Sequence, residues 1–458
     1  MIENDAFKLL LINLFHLNPD DIANIFCTTF NKMMVLLVTL ADKHQACPYC
    51  GFTAPKIKEY VTKEITHSAL TTQKCIIKYR ARRYKCPCCG KTYYEFNPFV
   101  FKSQKISILT VHNILKDLKD FNETFTSIAR RYHVSPTSVS TIFDNHVDIG
   151  RNPLPEIINF DEVYAFKSEK SKYVCVLLDF KKQIPVDVLP NRKKEYLLNY
   201  FQKIPLEERK KVKYACSDMY EVYRDVVHKV FPCSCMLLDY FHLSQDFHRK
   251  MNEVRIKVMK GYKDDKASDE YYLLKKFNWL LFKNPEDEDK YGRLFDVERE
   301  RKYNSHFKSY MNYYDLRRKL LEINNDLTIC YSLKLELVDF YSKSTIDNAQ
   351  VNLEHLIRNC IDTNIEEMIA FSNNLINWKQ EIINSFTIVG TEYKVEADKG
   401  QVVVCNKKVN NAIIENRNKI IKCIKNNANG YTNWSRFRNR VMYVLDPNTT
   451  FSLEPREK

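Results

Sequence analysis

Apolar and polar positions alternate in several distinct textures along the chain. Phe7–Phe15 has helical spacing, and the apolar run Met33–Leu40 reads as a buried strand. Glu59–Thr66 and Cys75–Arg83 read as a strand pair. Residues 105–148 carry helical periodicity with a break near Val134–Pro136. From Glu156 the texture changes. Ile157–Phe166, Tyr173–Phe180 and Ile184–Leu189 predict three consecutive strands. Lys193–Lys203 predicts a helix, Val212–Ser217 a fourth strand, Glu221–Val230 a helix and Cys235–Asp239 a fifth strand. Strands separated by helices predict an α/β sheet. The strand signal is then lost until residue 385. Leu243–Lys260, Tyr303–Ile323 and Ile365–Ser385 read as helices, with connections at Lys260–Lys266 and Asn284–Asp289. Thr387–Asn406 reads as a hairpin turning at Ala397–Gly400. Helices follow from Ala412 to about Lys425 and over Thr432–Leu445, with Gly430 ending the first.

The chain has 458 residues, a length that suggests about three domains. Apolar residues make up 45% of it, enough for a sizeable core. The mean hydropathy of −0.43 is that of a soluble protein. Met33–Leu40 is far short of the roughly 20 residues that span a bilayer, and Glu3 and Asp5 stand where a secretory signal would be basic. The net charge of +14 favours a polyanionic partner such as nucleic acid. Fifteen cysteines without an export signal predict reduced thiols or metal ligands rather than disulfides.

Two cysteine knuckles change the picture of the N-terminal third. Cys47-Pro-Tyr-Cys50-Gly51 and Cys86-Pro-Cys-Cys89-Gly90 each place two thiolates on one tight turn. The following glycine allows a left-handed backbone, so amides can face the sulfurs. Cys47, Cys50, Cys86 and Cys89 are therefore the expected ligands of a structural Zn²⁺. Cys88 competes with Cys89, and His44 with Cys47. Arg80, Arg82, Arg83 and Lys85 cluster beside the second knuckle among Tyr79, Tyr84, Tyr93 and Tyr94. Such a mixture suits double-stranded DNA, phosphates on the cations and aromatics on sugars or bases. A charged, solvated edge strand is the plainer alternative.

Phe125–Phe143 has the form of a helix-turn-helix. Ile128 and Ala129 face inward, Val134 closes the turn, and Ser135 caps a second helix that starts on Pro136. Val139 and Ile142 pack back. Thr137, Ser138, Ser140 and Thr141 are then expected on or near the outer face, available to DNA. A plain packing hairpin would have the same pattern.

Two strands end in carboxylates, at Asp161 and Asp218. Adjacent strand ends of this kind can share a divalent metal, and phosphodiester chemistry uses two such ions. Glu162 is expected to leave the opposite side of its strand. Asp179 is expected to serve a turn. Asp239 and His242 form a local pair with two readings, a helix cap with a packing histidine, or a group that positions substrate.

At these residues the sequence resembles the ISL-three family of bacterial insertion-sequence transposases. The markers are the two knuckles, Phe160–Val163, Ser217–Tyr220, Leu238–His242, Asn410–Lys422 and Asn429–Arg440. The resemblance runs from about Leu9 to Leu445. It implies an RNase H-like catalytic core with an Asp-Asp-Glu triad at Asp161, Asp218 and Glu415, holding two Mg²⁺ or Mn²⁺ ions. It implies cleavage at the ends of a mobile element and joining of the 3′-OH to target DNA. The partners are then the terminal inverted repeats, the target DNA and further copies of the chain, as a homodimer or higher oligomer on DNA, in a bacterial cytoplasm on the nucleoid. Asn418, Lys419 and Lys422 follow Glu415 on one helix, where they are expected to face DNA.

The expected architecture is α/β. Residues 1–45 form an N-terminal helical segment, 46–100 the zinc module and 105–150 the helix-turn-helix. Residues 155–242 and 407–446 form the catalytic core, interrupted by a mostly helical insertion over 243–406. The alternative function is a DNA-binding regulator without catalysis. A third is a nuclease that recognises branched DNA by its structure.

Overall fold

A computed structural model describes residues 2–43, 46–101, 104–166, 171–395 and 402–456. Helix α1 (Ile2–Leu14) packs on a mixed sheet of strands β1 (Ile22–Phe30), β2 (Met33–Leu40), β3 (Lys56–Thr66), β4 (Cys75–Lys85) and β5 (Thr92–Tyr94). The order is β1-β2-β4-β3, with β5 on the end of β4. β2 pairs in parallel with β4, so the sheet runs across the expected boundary at residue 45. Residues 1–45 are thus only partly helical. Their two strands and the knuckle-bearing strands share one core, from Leu11 and Phe15 to Ile77 and Phe99.

Helices α2 (Ile108–Asp117), α3 (Phe125–Arg131) and α4 (Pro136–His146) form a small bundle. Thr124 caps α3 in a reciprocal box with Ser127, and Ser135 caps α4 ahead of Pro136. Their shared core is Ile114, Leu118, Ile128, Val139 and Phe143.

The second sheet contains β6 (Ile157–Val163), β7 (Val174–Asp179), β8 (Pro185–Leu189), β9 (Tyr214–Ser217) and β10 (Cys235–Leu238). Its order is β10-β9-β6-β7-β8. β6, β7 and β8 are antiparallel neighbours, whereas β9 and β10 run parallel to β6. Helices cover both faces, which explains why these strands are apolar on both sides. Between β8 and β10 the chain forms α5 (Lys194–Gln202), α6 (Leu206–Arg209) and α7 (Glu221–Val230). α5 and α7 pack against Ile158, Phe160 and Leu177.

From β10 the chain enters α8 (Tyr240–Gly261) and a separate helical core with α9 (Asp269–Lys276). Two short hairpins follow, β11 (Glu288–Asp289) with β12 (Gly292–Arg293), and β13 (Lys302–Asn304) with β14 (Ser309–Met311). Tyr303–Ile323 is therefore not one helix. Lys308 takes a left-handed turn, and Asn312 starts α10 (Tyr313–Glu322) through a capping box with Asp315. The helical core continues with α11 (Asn325–Lys343), α12 (Ala349–Asp362), α13 (Glu366–Asn377) and α14 (Lys379–Asn384). The pair β15 (Ile388–Val395) and β16 (Val402–Lys408) leads back, its expected turn at Ala397–Gly400 lying outside the described residues. α15 (Ala412–Asn427) and α16 (Trp434–Leu445) then close the second face of the sheet. They bury Ile414, Ile421, Phe437 and Val441 on Val163, Val174 and Val176. No described helix is long and apolar enough to cross a membrane.

Candidate functional site

The register of the second sheet builds one edge of the site. Asn159 of β6 pairs with Cys216 of β9, so two residues further on Asp161 lies level with Asp218. Ser217 of β9 pairs with Leu238 of β10, so one step further Asp218 lies level with Asp239. Parallel strands about 4.8 Å apart thus present three aspartates in a row at their carboxyl ends.

Side-chain direction sorts this row. Ile158 and Phe160 face α5 and α7, so Asn159 and Asp161 face α15. The amide of Asn159 donates to Asn410 O at 2.8 Å and to Asn411 Oδ1 at 2.6 Å. Both residues are just ahead of α15, and this tether fixes the helix start on β6. α15 then brings Glu415 over the row, and one turn later Asn418. Asn418 is buried and its Nδ2 donates to Asp161 Oδ2 at 2.7 Å. It faces the carboxylates rather than DNA, which corrects the sequence expectation. Lys419 and Lys422 are exposed on the outer side of the same helix.

The ligand atoms fall into two neighbouring groups. Oxygens of Asp161, Glu162 and Asp218 lie within 4.8 Å of one another. Atoms of Asp239, His242 and Glu415 do the same. The structure therefore brings Asp161 and Asp218 together and sets Glu415 beside Asp239 and His242. Glu162 leaves β6 on the α7 side, where Tyr223 donates to it at 3.2 Å and Arg192 pairs with it. Its carboxylate nonetheless reaches the same end of the strand, so the alternation did not exclude it. Arg192 stacks on Tyr173 and Tyr220 at 4.7 and 4.6 Å. Nothing in its surrounding sequence signals this role. Asp179 accepts from the amides of Lys181 and Lys182, a turn role as expected.

Electrostatics favour a cation here. Burial pushes Asp161 up to about 7, and Asp218 beside it adds to the rise. Burial also raises Asp218, Asp239 and Glu162. His242 opposes the rise at Asp161, Asp218 and Asp239. Asp218 Oδ1, Asn418 Oδ1 and His242 Nε2 are buried without a hydrogen-bond partner. Oxygen-rich donors with orphaned buried atoms fit a hard divalent cation.

A second cluster sits at the edge of the first sheet. Cys47 and Cys89 sulfurs are 3.7 Å apart, and those of Cys50 and Cys86 3.5 Å. Zinc–sulfur bonds of about 2.3 Å in a tetrahedron place sulfurs about 3.8 Å apart, so this arrangement fits a four-thiolate zinc. Gly51 and Gly90 are left-handed, with φ of 75° and 70°. The amides of Cys89 and Cys88 hold the Cys86 thiol down at about 7. Cys88 is exposed and outside the cluster, and His44 lies outside the described residues.

The basic and hydroxyl residues are placed unevenly. Arg80 and Lys85 are exposed, and Arg80 stacks on Tyr60 at 4.9 Å. Arg83 pairs with Glu59 at 2.7 Å. Arg82 is instead a structural residue, because it pairs with buried Glu95 at 2.7 Å and donates to Leu40 O and Ala41 O. Thr137 and Thr141 are exposed on α4, and Ser138 is half-buried beside the Ser135 cap. Ser140 is buried and donates to Thr137 O, so it is not on the outer face.

Comparison with known proteins adds two findings. The family model described as transposase, of the DDE and ISL-three type, matches residues 158–397. The transposase for insertion sequence element IS1001 of Bordetella parapertussis is 19% identical over 409 residues, covering 89% of this chain and 90% of that protein.

Proposed function

The chain belongs to the ISL-three family of DDE transposases, and on that premise we propose that it cuts the ends of an insertion sequence and joins them to target DNA. The observation that carries this reading is the row Asp161, Asp218 and Asp239, closed from α15 by Glu415. The strand order β10-β9-β6-β7-β8 supports reading the second sheet as an RNase H-like core, with α8 to β16 as its insertion.

In this reading Asp161 and Asp218 hold Mg²⁺ or Mn²⁺, and Glu415 completes the site with Asp239 and His242 at its side. Two bound ions would activate the attacking oxygen and stabilise the leaving oxygen. Asn418 orients the Asp161 carboxylate, and the Asn159–Asn411 tether sets the distance of Glu415 from the sheet. In the first step water attacks a phosphodiester at the element end, and the bond to the 3′-oxygen breaks. In the second the freed 3′-OH attacks target DNA, and a target 3′-oxygen leaves. Lys419 and Lys422, on the exposed side of α15, receive backbone phosphates near the cut.

DNA recognition is assigned to the N-terminal parts. Arg80, Arg83 and Lys85 beside a zinc-stapled knuckle pair meet phosphates. Thr137, Ser138 and Thr141 on α4 read the terminal repeats as the second helix of a helix-turn-helix. Two ends must be held together, so the working unit is at least a dimer. The bacterial cytoplasm is the expected setting.

Asp161→Asn or Asp218→Asn should abolish nicking of a terminal-repeat duplex in Mn²⁺ while retaining its binding in a gel shift. Retained nicking in either variant would overturn the assignment. A wild-type protein that binds the repeats but never nicks them would favour the regulator reading.

A further inference from the structure

The transposase reading requires two copies of the chain, and we propose that they pair through the open edge of the N-terminal sheet, β1 against β1, with α1 against α1. The inference rests on that reading only for its biological reason; its physical basis is independent.

β1 is an edge strand, and its outer side pairs with no strand among the described residues. Edges left in water are usually guarded by charge, proline or a bulge that turns them away. The opposite edge, β3, follows this rule with Lys56, Lys58, Glu59, Lys63 and Glu64. β1 reads Ile22-Ala-Asn-Ile-Phe-Cys-Thr-Thr-Phe30 and has no charge and no proline. Its one irregularity, near Asn24, leaves Ile25–Phe30 in regular register with β2. In a chain with 28% charged residues this is an unguarded template for another strand.

Both faces beside this edge are apolar. α1 and the turn after it bury Leu11, Ile12 and Phe15 in the core, yet Phe7, Leu9, Leu10 and Leu14 of α1 are 48–59% exposed on its outer side. The charges of α1 (Glu3, Asp5 and Lys8) lie in its first half, and from Leu9 to Leu14 only Asn13 is polar, so this half is apolar on its outer side as well as its inner one, the pattern of a covered helix. On the other face of the sheet Phe26 lies opposite Leu37, and both are exposed, as is Phe30 at the strand end. These seven side chains offer on the order of 700 Å², close to the ~800 Å² per partner of a stable interface.

The occupant follows from the chemistry. DNA is disfavoured, because from Ala6 to Phe15 the only charge is Lys8 and β1 has none. An antiparallel strand edge is complementary to itself under a two-fold axis, so the same surface serves both partners. Continuing the sheet across β1 sets α1 beside its counterpart on one face. It sets Phe26 and Leu37 beside theirs on the other.

Sedimentation equilibrium of the full chain without DNA tests this. Wild type should have twice the mass of one chain. Phe26→Lys combined with Thr28→Lys should give the single-chain mass, as should Leu10→Lys, with circular dichroism unchanged because all three sites are exposed. A wild-type monomer, or variants that stay dimeric, would overturn the proposal. If the lysine variants fail to fold, hydrogen exchange of the wild type decides. The amides of Ile25–Phe30 should gain protection as protein concentration rises, and concentration-independent exchange overturns the interface. Nicking assays separate the two readings. A dimer that never cuts DNA would remove the transposase function and leave this interface, and a monomer that cuts would do the reverse.

Discussion

Asp161 is held in a state that suits a metal ligand more than a free carboxylate. With its carboxyl raised to about 7 by burial and by Asp218, it carries a proton over much of the neutral range until a cation displaces it. On the proposed metal role of Asp161, binding a cation would release that proton, so affinity should rise with pH through about 7. Titration calorimetry with Mn²⁺ at about pH 6 and about pH 8 should show the tighter binding at the higher value. Equal affinities would contradict the protonated state. Linkage gives a second consequence with a definite sign. The folded value lies above the unfolded one, so the stability Asp161 contributes is present below pH ~4 and lost as pH rises through about 7. Metal-free Asp161→Asn should therefore be more stable than wild type at about pH 8, by ~1–3 kcal/mol, and gain little at about pH 4. Asn418 offers a sharper dissection. Its amide touches Asp161 and nothing in the substrate is needed to explain that contact. Asn418→Ala should weaken Mn²⁺ binding and slow nicking together, with terminal-repeat binding unchanged. If it weakens DNA binding instead, Asn418 faces DNA after all.

At the scale of elements, the two cysteine knuckles bring four thiols that could hold a metal ion to one corner of the first sheet. Cys47, Cys86, Tyr84 and Tyr93 form their own small core, separate from the core under α1. Cys47→Ser should remove the metal and expose this corner, costing roughly 2–5 kcal/mol in a domain of this size. Zinc content by mass spectrometry and the thermal midpoint read the result, and a variant with full zinc would overturn the ligand set. Elements with strong local signals were legible in the chain itself. Met33–Leu40 and Glu221–Val230 form a strand and a helix with those bounds, because one is a continuous apolar run and the other a clear helical stripe. β1 was not legible, since its alternation mixes Thr, Asn and Cys with exposed phenylalanines. The β13–β14 hairpin has a helical pattern in the sequence, because its few residues merge with the α10 periodicity that follows. The site divides in the same way. Asp161 and Asp218 are visible because each follows a run of buried strand residues, Ile157–Phe160 and Ala215–Ser217, although β6 itself continues to Val163. The grouping of Glu415 with Asp239 and His242 depends on how α15 docks across β6, a contact between residues far apart in sequence. The Asn159–Asn411 tether and Arg192 are invisible for the same reason.

At the scale of the whole molecule, the small bundle α2–α4 is bolted to the helices that close the second sheet. Tyr443 of α16 packs in the bundle core and donates to Leu115 O at 2.9 Å. Arg436 holds Asp144 at 2.6 Å, and Lys119 reaches back to Asp446 O and Thr449 O. At the centre Arg440 is fully buried and donates to the carbonyls of Asp120 and Glu123, both at 2.8 Å. α16 follows α15, which carries Glu415. A continuous chain of contacts therefore runs from the bundle that bears Thr137 and Thr141, through α16 and α15, to the carboxylate row. Arg440→Met keeps the packing volume but strands two carbonyls, which should cost ~2–4 kcal/mol. Its larger effect should be on coupling. Terminal-repeat binding should persist while the cut site spreads over neighbouring phosphates, because the bundle no longer fixes where DNA enters the site. Mapping the nicks on an end-labelled duplex reads this directly. Unchanged cut positions in a destabilised variant would mean that the bundle only adds stability, and that the position of the cut is set by contacts on α15 and the sheet.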